Sequence, residues 1–445
     1  MKKLILSVLF FALFLNQAMA GENQPIPQGN LTLTRACDLA LEKNPGILQA
    51  RERINGAKAV LVQANSAWKP SISATGHFNA YDATTQPDWA QTQRGSESFN
   101  EYSAGIAMSW LAFNGFAREA DILASKYGIE QSEQSYQDTQ RLLIRSVSLT
   151  YYQAQIAIEN MIIARQNRDF NRTLEKDAKL KYQIGAVPEA DMLNFSVRVL
   201  KAETDYLAAQ QDFDITCTAL AQLMAVDGAR LSPKMLPQRS RLQINHMTPE
   251  FEIEIAFARE NRPDLKALDK NILALNEKYR GAKGNYYPRV YLVSGVDYLY
   301  QDEKLVVDEE EHTSYLGINF QWDIYTGGKR AGKTSEIYAD IQTLKQRRKE
   351  TLQSMEAEIR EAILRAKTAW ETWKHQRKTL EMTQTIRGSI EMAYKVGKSP
   401  LTRLNEAQTD FVNAAGAEAA SRIQYLISLV NLDAAAGRLQ GVSEW

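Results

Sequence analysis

The sequence WLAFNGFAR, which runs from Trp110 to Arg118, has a counterpart in WDIYTGGKR, which runs from Trp322 to Arg330. The spacing between these two stretches (322 − 110) equals the spacing between YQIGAVP at Tyr182 and YKVGKSP at Tyr394 (394 − 182). The chain is therefore a tandem duplication of one long unit. A period of roughly 200 residues is far too long for a solenoid of short repeats.

Each copy begins with a stretch of helical periodicity between two prolines. Pro45 and Pro70 of the first copy correspond to Pro263 and Pro288 of the second, at a slightly larger spacing (263 − 45) than that of the tryptophans. Proline inside a helix removes a hydrogen bond and restricts the residue before it. We therefore expect Thr34 to cap the first helix, Pro45 to split it and Pro70 to end it.

After each helical stretch the hydrophobic period changes to two residues, which indicates β-strands. The alternation predicts one hairpin per copy, over residues 71–113 and 289–325, with strands about ten residues long. Such strands are typical of a transmembrane β-barrel, although a half-exposed sheet in a soluble domain shows the same pattern. The predicted apolar face consists of Ile72, Ala74, Gly76, Phe78, Ala80, Tyr102, Ala104, Ile106, Met108, Trp110, Val290, Leu292, Val296, Tyr298, Leu316, Ile318, Phe320, Trp322 and Ile324.

Four strands per chain are too few to close a barrel in a membrane. The smallest membrane barrels have about eight strands, and an open edge in lipid leaves backbone groups without hydrogen bonds. If the hairpins lie in a membrane, several chains must share one barrel.

Each hairpin leads into a stretch without proline that predicts a very long helix, over residues 115–182 and 332–394. A helix of the first length extends for roughly 100 Å. Apolar residues recur every seventh position in both stretches, which favours coiled-coil packing. These helices must therefore pack side by side with similar helices.

Both long helices should end at a glycine tip, from which a shorter helix returns. Gly185 precedes a return helix over residues 189–225, and Gly397 precedes one over residues 401–436. A return helix and a leading helix together match the long helix in length, so we expect them to stack end to end beside it.

The composition and the N-terminus indicate an exported protein that does not bind nucleic acid. The 53 basic residues balance 53 acidic ones, and the pI is near 6.9, so no net positive charge attracts a polyanion. Two lysines, the apolar run LILSVLFFALFL and Ala18-Met19-Ala20 predict a signal peptide over residues 1–20. Gly21 follows the predicted cleavage site, where a lipoprotein needs cysteine.

The predicted organisation follows from these elements. It comprises a signal peptide (1–20), a first repeat (31–225), an equatorial linker (226–248), a second repeat (249–437) and a C-terminal tail (438–445).

The stretch GGKRAGKT, from Gly327 to Thr334, matches the phosphate-binding P-loop pattern and makes a P-loop ATPase a rival hypothesis. The corresponding turn of the first copy, however, lacks the matching glycine, lysine and threonine. The preceding strand alternates apolar and polar residues, unlike a buried parallel strand, and export would separate the protein from ATP. We therefore expect no nucleotide binding.

No residue pattern predicts catalysis, a cofactor or a metal site. The four histidines are scattered without ligand spacing. Cys37 and Cys217 are the only cysteines, and both should fall near the joint between the leading and return helices. Export permits a disulfide between them, but two buried thiols are the preferred alternative.

Taken in order, these features resemble the TolC-like outer membrane efflux proteins over nearly the whole mature chain. The resemblance rests on the opening LTLTRACDLALEKNP at Leu31, on the FNG and YTGG turns, and on the tips that begin at Tyr182 and Tyr394. It implies a fold that is mainly α with a small β part. It also implies a homotrimer whose 12-strand β-barrel in the cell outer membrane continues as a long α-helical barrel into the periplasm.

The resemblance further implies partners and site residues. A periplasmic adaptor protein and an inner-membrane pump would be the protein partners, outer membrane lipid would surround the barrel, and no nucleic acid would bind. The helix tips would contact the adaptor, through Gly185, Pro188, Gly397 and Pro400.

In that family, acidic residues near the tips line a narrow periplasmic aperture. Asp191 follows Gly185 in this sequence, whereas Arg403 stands at the matching position of the second copy and Glu406 keeps an acid nearby. Rings of like charge set ion preference, so Arg403 weakens the expectation of cation selectivity. Tyr394 and Asp191 would form a latch between neighbouring coils, unless all four are ordinary solvated residues.

The sequence thus predicts a passive exit duct of a tripartite efflux or type I secretion system, without enzyme activity. A periplasmic coiled-coil scaffold is the main alternative, followed by the P-loop ATPase. Outer membrane fractionation, oligomer mass and conductance separate these three hypotheses.

Overall fold

The computed structural model describes residues 30–85, 95–232, 235, 237, 246–301 and 310–439. The predicted signal peptide, part of the predicted linker and residues 440–445 lie outside the described residues.

The chain is mainly α-helical with a small sheet, and the order helix, hairpin, long helix, return helix occurs twice, as predicted. Both long helices have 67 residues. Among the described helices, none combines the length and the apolarity that crossing a membrane requires. The elements are α1 (Leu33–Lys43), α2 (Pro45–Ser66), β1 (Ser71–Thr85), β2 (Gly95–Phe113), α3 (Ala117–Gln183), α4 (Glu189–Leu223), α5 (Phe251–Asn261), α6 (Pro263–Gly284), β3 (Arg289–Gln301), β4 (Glu310–Gln321), α7 (Lys329–Lys395) and α8 (Leu401–Ala436).

The chain divides into two compact units. The sheet unit consists of Gln49–Asp138 and Arg262–Ser354, and it contains all four strands. The coil unit consists of Met1–Leu48, Thr139–Asn261 and Met355–Trp445, and it contains both return helices.

The four strands form one antiparallel sheet in the order β1-β2-β3-β4. Ile72 lies opposite Met108, and Ile106 lies opposite Val296. Apolar side chains of neighbouring strands therefore share one face, as their alternation predicts. Among the described strands, β1 and β4 each have a neighbour on one side only.

Two details of the predicted hairpins are wrong. The strands have 15, 19, 13 and 12 residues instead of about ten, because the ladders continue beyond the predicted alternation. The ladder of β3 and β4 begins at the pair Arg289 and Gln321, so Trp322 and Ile324 lie beyond the sheet. The Trp322 indole Nε1 instead donates to the Tyr286 carbonyl at 3.2 Å.

Within the sheet unit, α6 contacts both long helices. The Lys270 ammonium on α6 lies 2.6 Å from Glu130 on α3, while Asp269 on α6 accepts from Arg348 on α7. Two neighbouring residues of α6 thus form ion pairs with two different helices, which holds α6 between α3 and α7.

Within the coil unit, the end of the leading helix α1 meets the end of the return helix α4. Asn44 ends α1, and its side-chain Nδ2 donates to the carbonyl of Leu223, the last residue of α4, at 2.9 Å. Beside this joint, a hydrophobic core draws residues from α1, α3, α4 and α8. Its fully buried members include Ala40, Val147, Ile158, Leu220, Met224 and Val430.

The predicted N-cap of the first helix is wrong by two residues. Thr32 holds that position in an extended conformation (φ −82°, ψ 160°), and its Oγ1 accepts from the backbone N–H of Arg35. Thr34 is the second residue of α1, whereas a capping residue stands just before the first helical residue. Just before this cap, Leu31 forms an isolated parallel β-bridge with Pro237.

Candidate functional site at the helix tips

Both tips of the coil unit are the same hydrogen-bonded turn. Gly185 and Gly397 have φ values of +71° and +74°, a left-handed conformation that strains any residue with a Cβ. The N–H after each glycine reaches back to a carbonyl five residues earlier, from Ala186 to Lys181 and from Lys398 to Ala393, at 2.8 Å in both turns. This is the Schellman arrangement that ends a helix at glycine.

A proline then starts each return helix. Pro188 and Pro400 are extended (φ −67° and −72°) and provide no side-chain cap. The first turn of α4 carries Glu189 and Asp191, and the first turn of α8 carries no acid. The two tips therefore differ in charge although their backbones have the same conformation. The two acids of α4 also interact favourably with the dipole at its N-terminus.

The tip helices are held together by a small apolar cluster, the tip core. Its buried members are Leu174, Ala178, Phe195 and Leu404, and Tyr394 packs against them. Because these residues come from α3, α4, α7 and α8, the cluster joins all four helices at this end of the coil unit.

The structure brings two predicted gating residues, Tyr394 and Asp191, to the same place. Burial raises the pKa of the Tyr394 hydroxyl, and the charges of Asp191 and Asp177 raise it further. The Lys181 ammonium lies 5.1 Å from the centre of the Tyr394 ring, within cation–π range. Tyr394 therefore occupies a mixed apolar and charged site between coils.

The other two predicted gating residues point to solvent. Arg403 and Glu406 on α8 are both exposed. Within the described part of the chain, no ion pair or hydrogen bond joins either of them to Asp191 or Tyr394. The gating roles of all four residues, and the adaptor-contact role of the glycines and prolines, stay predictions.

Sequence reasoning missed a pair of structural arginines where each strand passes into its long helix. Arg118 is almost fully buried: its guanidinium donates to the carbonyls of Ala67 (3.1 Å), Leu111 (2.7 Å) and Ala112 (3.4 Å). It also stacks 3.4 Å from the centre of the Trp68 ring. The guanidinium thus ties the end of α2 and the end of β2 to the start of α3.

Arg330 repeats this role in the second copy. It donates to the carbonyls of Asn285 (3.2 Å) and Ile324 (3.0 Å) and lies 4.9 Å from the centre of the Tyr286 ring. We call Arg118 and Arg330 the arginine braces. Both arginines end the duplicated stretch, WLAFNGFAR and WDIYTGGKR, and this shared position is the feature of the sequence that could have indicated their role.

The P-loop match has a structural role in this fold. Gly327 and Gly328 adopt positive φ values of 58° and 86° between β4 and α7. Lys333, the position that would bind phosphate, makes an ion pair with Glu336 at 2.9 Å. The sheet before it is antiparallel, unlike the parallel sheet that precedes a P-loop.

Cys37 and Cys217 are both buried free thiols in the structure, the alternative that the sequence favours over a disulfide. They belong to the same hydrophobic core beside the helix joint. Burial raises the pKa of each thiol to about 12, so neither is a reactive thiolate at neutral pH. Among the described residues, no group of three or more histidine, cysteine or acidic side chains is placed to bind a metal.

Another group that the sequence did not indicate lies at the end of α8. Asp433 and Glu254 are buried, and both face the guanidinium of Arg438, at 3.4 and 2.7 Å. Burial raises the pKa of Asp433 to about 7, and the Glu254 charge adds to the rise, while Arg438 opposes it. Two carboxylates thus share one guanidinium in this group, the buried acid pair.

Comparison with known families decides the identity of this fold. The family model described as outer membrane efflux protein matches residues 36–226 and 255–438, one segment in each copy. The chain belongs to the outer membrane efflux protein family. This confirms the predicted resemblance, the predicted outer membrane location and the predicted function class of an outer membrane exit channel.

Individual known proteins are similar to this chain over most of their length. The chain is 22% identical to Protein CyaE of Bordetella pertussis, covering 96% of this chain and 89% of that one. It is 22% identical to the probable efflux pump outer membrane protein TtgC of Pseudomonas putida, covering 83% and 75%. Its fold matches the Campylobacter jejuni CmeC outer membrane channel with a TM-score of 0.76 at 19% identity, covering 94% of this chain and 90% of that one.

Proposed function

We propose that three copies of this chain form one continuous duct, which passively carries substrates from a periplasmic adaptor and an inner-membrane pump to the outside. The observation that carries the proposal is the sheet with two open edges. β1 and β4 each lack a second neighbour among the described strands, and an open edge in a membrane leaves N–H and C=O groups unpaired. Three four-stranded sheets joined edge to edge close into 12 strands.

The coil unit supports the same arrangement independently. α4 presents a stripe of apolar side chains to solvent, in steps of three, four and seven residues that keep to one helix face. Such a stripe in a single chain is the seam of a coiled coil that lacks its partner. The stripe consists of Leu193 (51% exposed), Val197 (65%), Leu200 (64%) and Leu207 (64%).

The duct needs no chemistry of its own, so we propose that the protein is not an enzyme and binds no cofactor. Its partners are two more copies of this chain, the adaptor, the pump and outer membrane lipid. The tips at Gly185, Pro188, Gly397 and Pro400 form the adaptor contact, because each is an exposed end of two helices.

The proposal is tested on protein purified from the outer membrane in detergent. Native mass spectrometry should give three chains, and the same preparation should conduct ions in a planar lipid bilayer. A monomer without conductance would refute the duct and favour the periplasmic scaffold.

We further propose that charges at the tips set the ion preference of the narrow periplasmic end. Asp191→Asn should shift the potassium-to-chloride permeability ratio towards chloride, whereas Arg403→Gln should shift it towards potassium. Glu358→Gln, on a long helix away from the tips, serves as the control. Equal permeability ratios in all three variants would leave Asp191 and Arg403 as ordinary solvated residues.

A further inference from the structure

One close interface inside the sheet unit depends on pairs of small residues. A Cβ added at Gly281 on α6 would lie 3.3 Å from the Cβ of Ala120 on α3, and a Cβ added at Gly284 would lie 2.7 Å from the Gly115 carbonyl oxygen. Glycine permits this approach of two backbones because it has no side chain. The start of α3 therefore rests against α6 through residues that leave room for each other.

The contacts of the arginine braces show which residues of the two copies occupy equivalent positions. Arg118 binds the Ala67 carbonyl, and Arg330 binds the Asn285 carbonyl. These contacts give one spacing for the long helices (330 − 118) and a slightly larger one for the leading helices (285 − 67), the same two spacings that the sequence repeat shows. In three dimensions, α7 therefore corresponds to α3, and α2 corresponds to α6.

The corresponding residues of α7 and α2 are present in the sequence, but within one chain they do not form the corresponding interface. An added Cβ at Gly327 or Gly332 would meet no described atom within 4 Å. Both glycines are exposed, as are the residues of α2 that correspond to the glycines of α6. The corresponding residues are Gln63 for Gly281, Ser66 for Gly284, Gly332 for Ala120 and Gly327 for Gly115.

We propose that α2 of one copy packs on the start of α7 of a neighbouring copy, with Gln63 facing Gly332 and Ser66 facing Gly327. The proposal rests on the homo-oligomer of the proposed function and assigns one of its contacts. Every pair of the filled interface contains a glycine, and so does every pair of the proposed one. Gln63 has a larger side chain than its counterpart Gly281, and Gly332, which has no side chain, leaves room for it.

The charges nearby fit the same assignment. In the filled interface, burial raises the pKa of Asp121 on α3, and the charge of Lys278 on α6 opposes that rise. Their counterparts are Lys333 and Val60, so the residue of α2 that corresponds to Lys278 carries no charge to pair with Lys333. Glu336 of its own helix pairs with Lys333 instead, at 2.9 Å. The lysine can therefore approach the neighbouring helix without an unpaired charge.

The glycines that imitate a P-loop thus have a different use. Gly332 on α7, and Gly327 just before it, leave room without side chains where α2 of a second copy packs. The occupant is fixed by the duplication, because the same contact is already filled once within each chain.

Cysteine crosslinking tests the contact directly. The double variant Gln63→Cys/Gly332→Cys should form disulfides between chains under mild oxidation, because the filled interface brings the corresponding residues within the reach of a disulfide. Val62→Cys/Gly332→Cys is the matched control, since Val62 neighbours Gln63 on the helix but points elsewhere. The native Cys37 and Cys217 are buried and do not interfere.

A second pair of variants measures the fit. Gly332→Ala adds only a methyl group and favours a helix by itself, whereas Gly332→Leu overfills the proposed interface. The leucine variant should raise the dissociation constant of the trimer by about tenfold or more, while the helical content of the chain stays unchanged.

The outcomes separate the contact from the oligomer. Crosslinked chains with the 63–332 pair, and none with the 62–332 pair, support the assignment. A native trimer in which the 62–332 pair crosslinks as well as the 63–332 pair, or which tolerates Gly332→Leu, overturns it and leaves the oligomer standing. A native mass of one chain instead refutes the proposed function itself.

Discussion

The buried acid pair makes the stability of the coil unit depend on pH. Asp433 is 2% exposed, and its pKa is raised from 3.8 to about 7 by burial, with a contribution from Glu254 that Arg438 opposes. Replacing this carboxyl by an amide, in Asp433→Asn, removes the titration but keeps an acceptor for Arg438. The perturbation is therefore confined to one ionisation.

The magnitude follows from the two pKa values. A rise of about three pKa units corresponds to about 4 kcal/mol of stability at most. Because the folded state holds the proton more tightly than the unfolded chain, this contribution is fully present below about pH 4. It is lost as the pH rises through about 7, so the wild type becomes less stable between these values.

The assay is denaturant unfolding of the purified protein in detergent, followed by tryptophan fluorescence at pH 4.5 and pH 8. Asp433→Asn should exceed the wild type by only about 1 kcal/mol at pH 4.5 and by up to about 4 kcal/mol at pH 8. Asp410→Asn changes an exposed acid of the same helix and should alter stability by less than about 0.5 kcal/mol at either pH. If Asp433→Asn is less stable than the wild type at pH 8, the carboxylate is stabilising and the reasoning is wrong.

Three further predictions concern features described above. Arg118→Ala should lower the free energy of unfolding by about 3 kcal/mol, because three carbonyls and a tryptophan lose their shared partner. Arg330→Ala should lower it by less, because its site is more exposed. Denaturation midpoints that rank the two variants in the opposite order would contradict this. Gly185→Ala or Gly397→Ala should strain its tip turn by about 1 to 2 kcal/mol, and tryptic cleavage at that tip should become faster. Unchanged cleavage rates would show that the turn does not need glycine. Cys37 should resist maleimide in the folded protein at pH 7 and react once the unreduced protein is denatured, whereas rapid labelling of the folded state would contradict its burial.

Much of the fold was predictable because it repeats. The duplication gave the order of elements, and period-two alternation assigned the apolar face of the sheet, where Ile106 does lie opposite Val296. The split next to Pro45 follows from local chemistry alone. These features depend on neighbours in sequence, which a single sequence contains.

The features that the sequence did not reveal depend on distant partners. Thr32 and Thr34 are chemically identical, and the one that caps α1 is Thr32, which follows the residue that bridges to Pro237. Arg118 looks like any arginine until Trp68 and three carbonyls surround it. The gating residues were proposed from the resemblance, and the structure adds that Tyr394 and Asp191 share a location while Arg403 and Glu406 are exposed.

The two tip turns share one backbone although their side chains differ. All the hydrogen bonds that close each turn come from the main chain, and glycine is the only residue type that the turn demands. Ala186 and Lys398 already occupy the same place in the two turns with unrelated side chains. The side chains of the tip turns can therefore change one by one while the turns and the helices behind them stay the same.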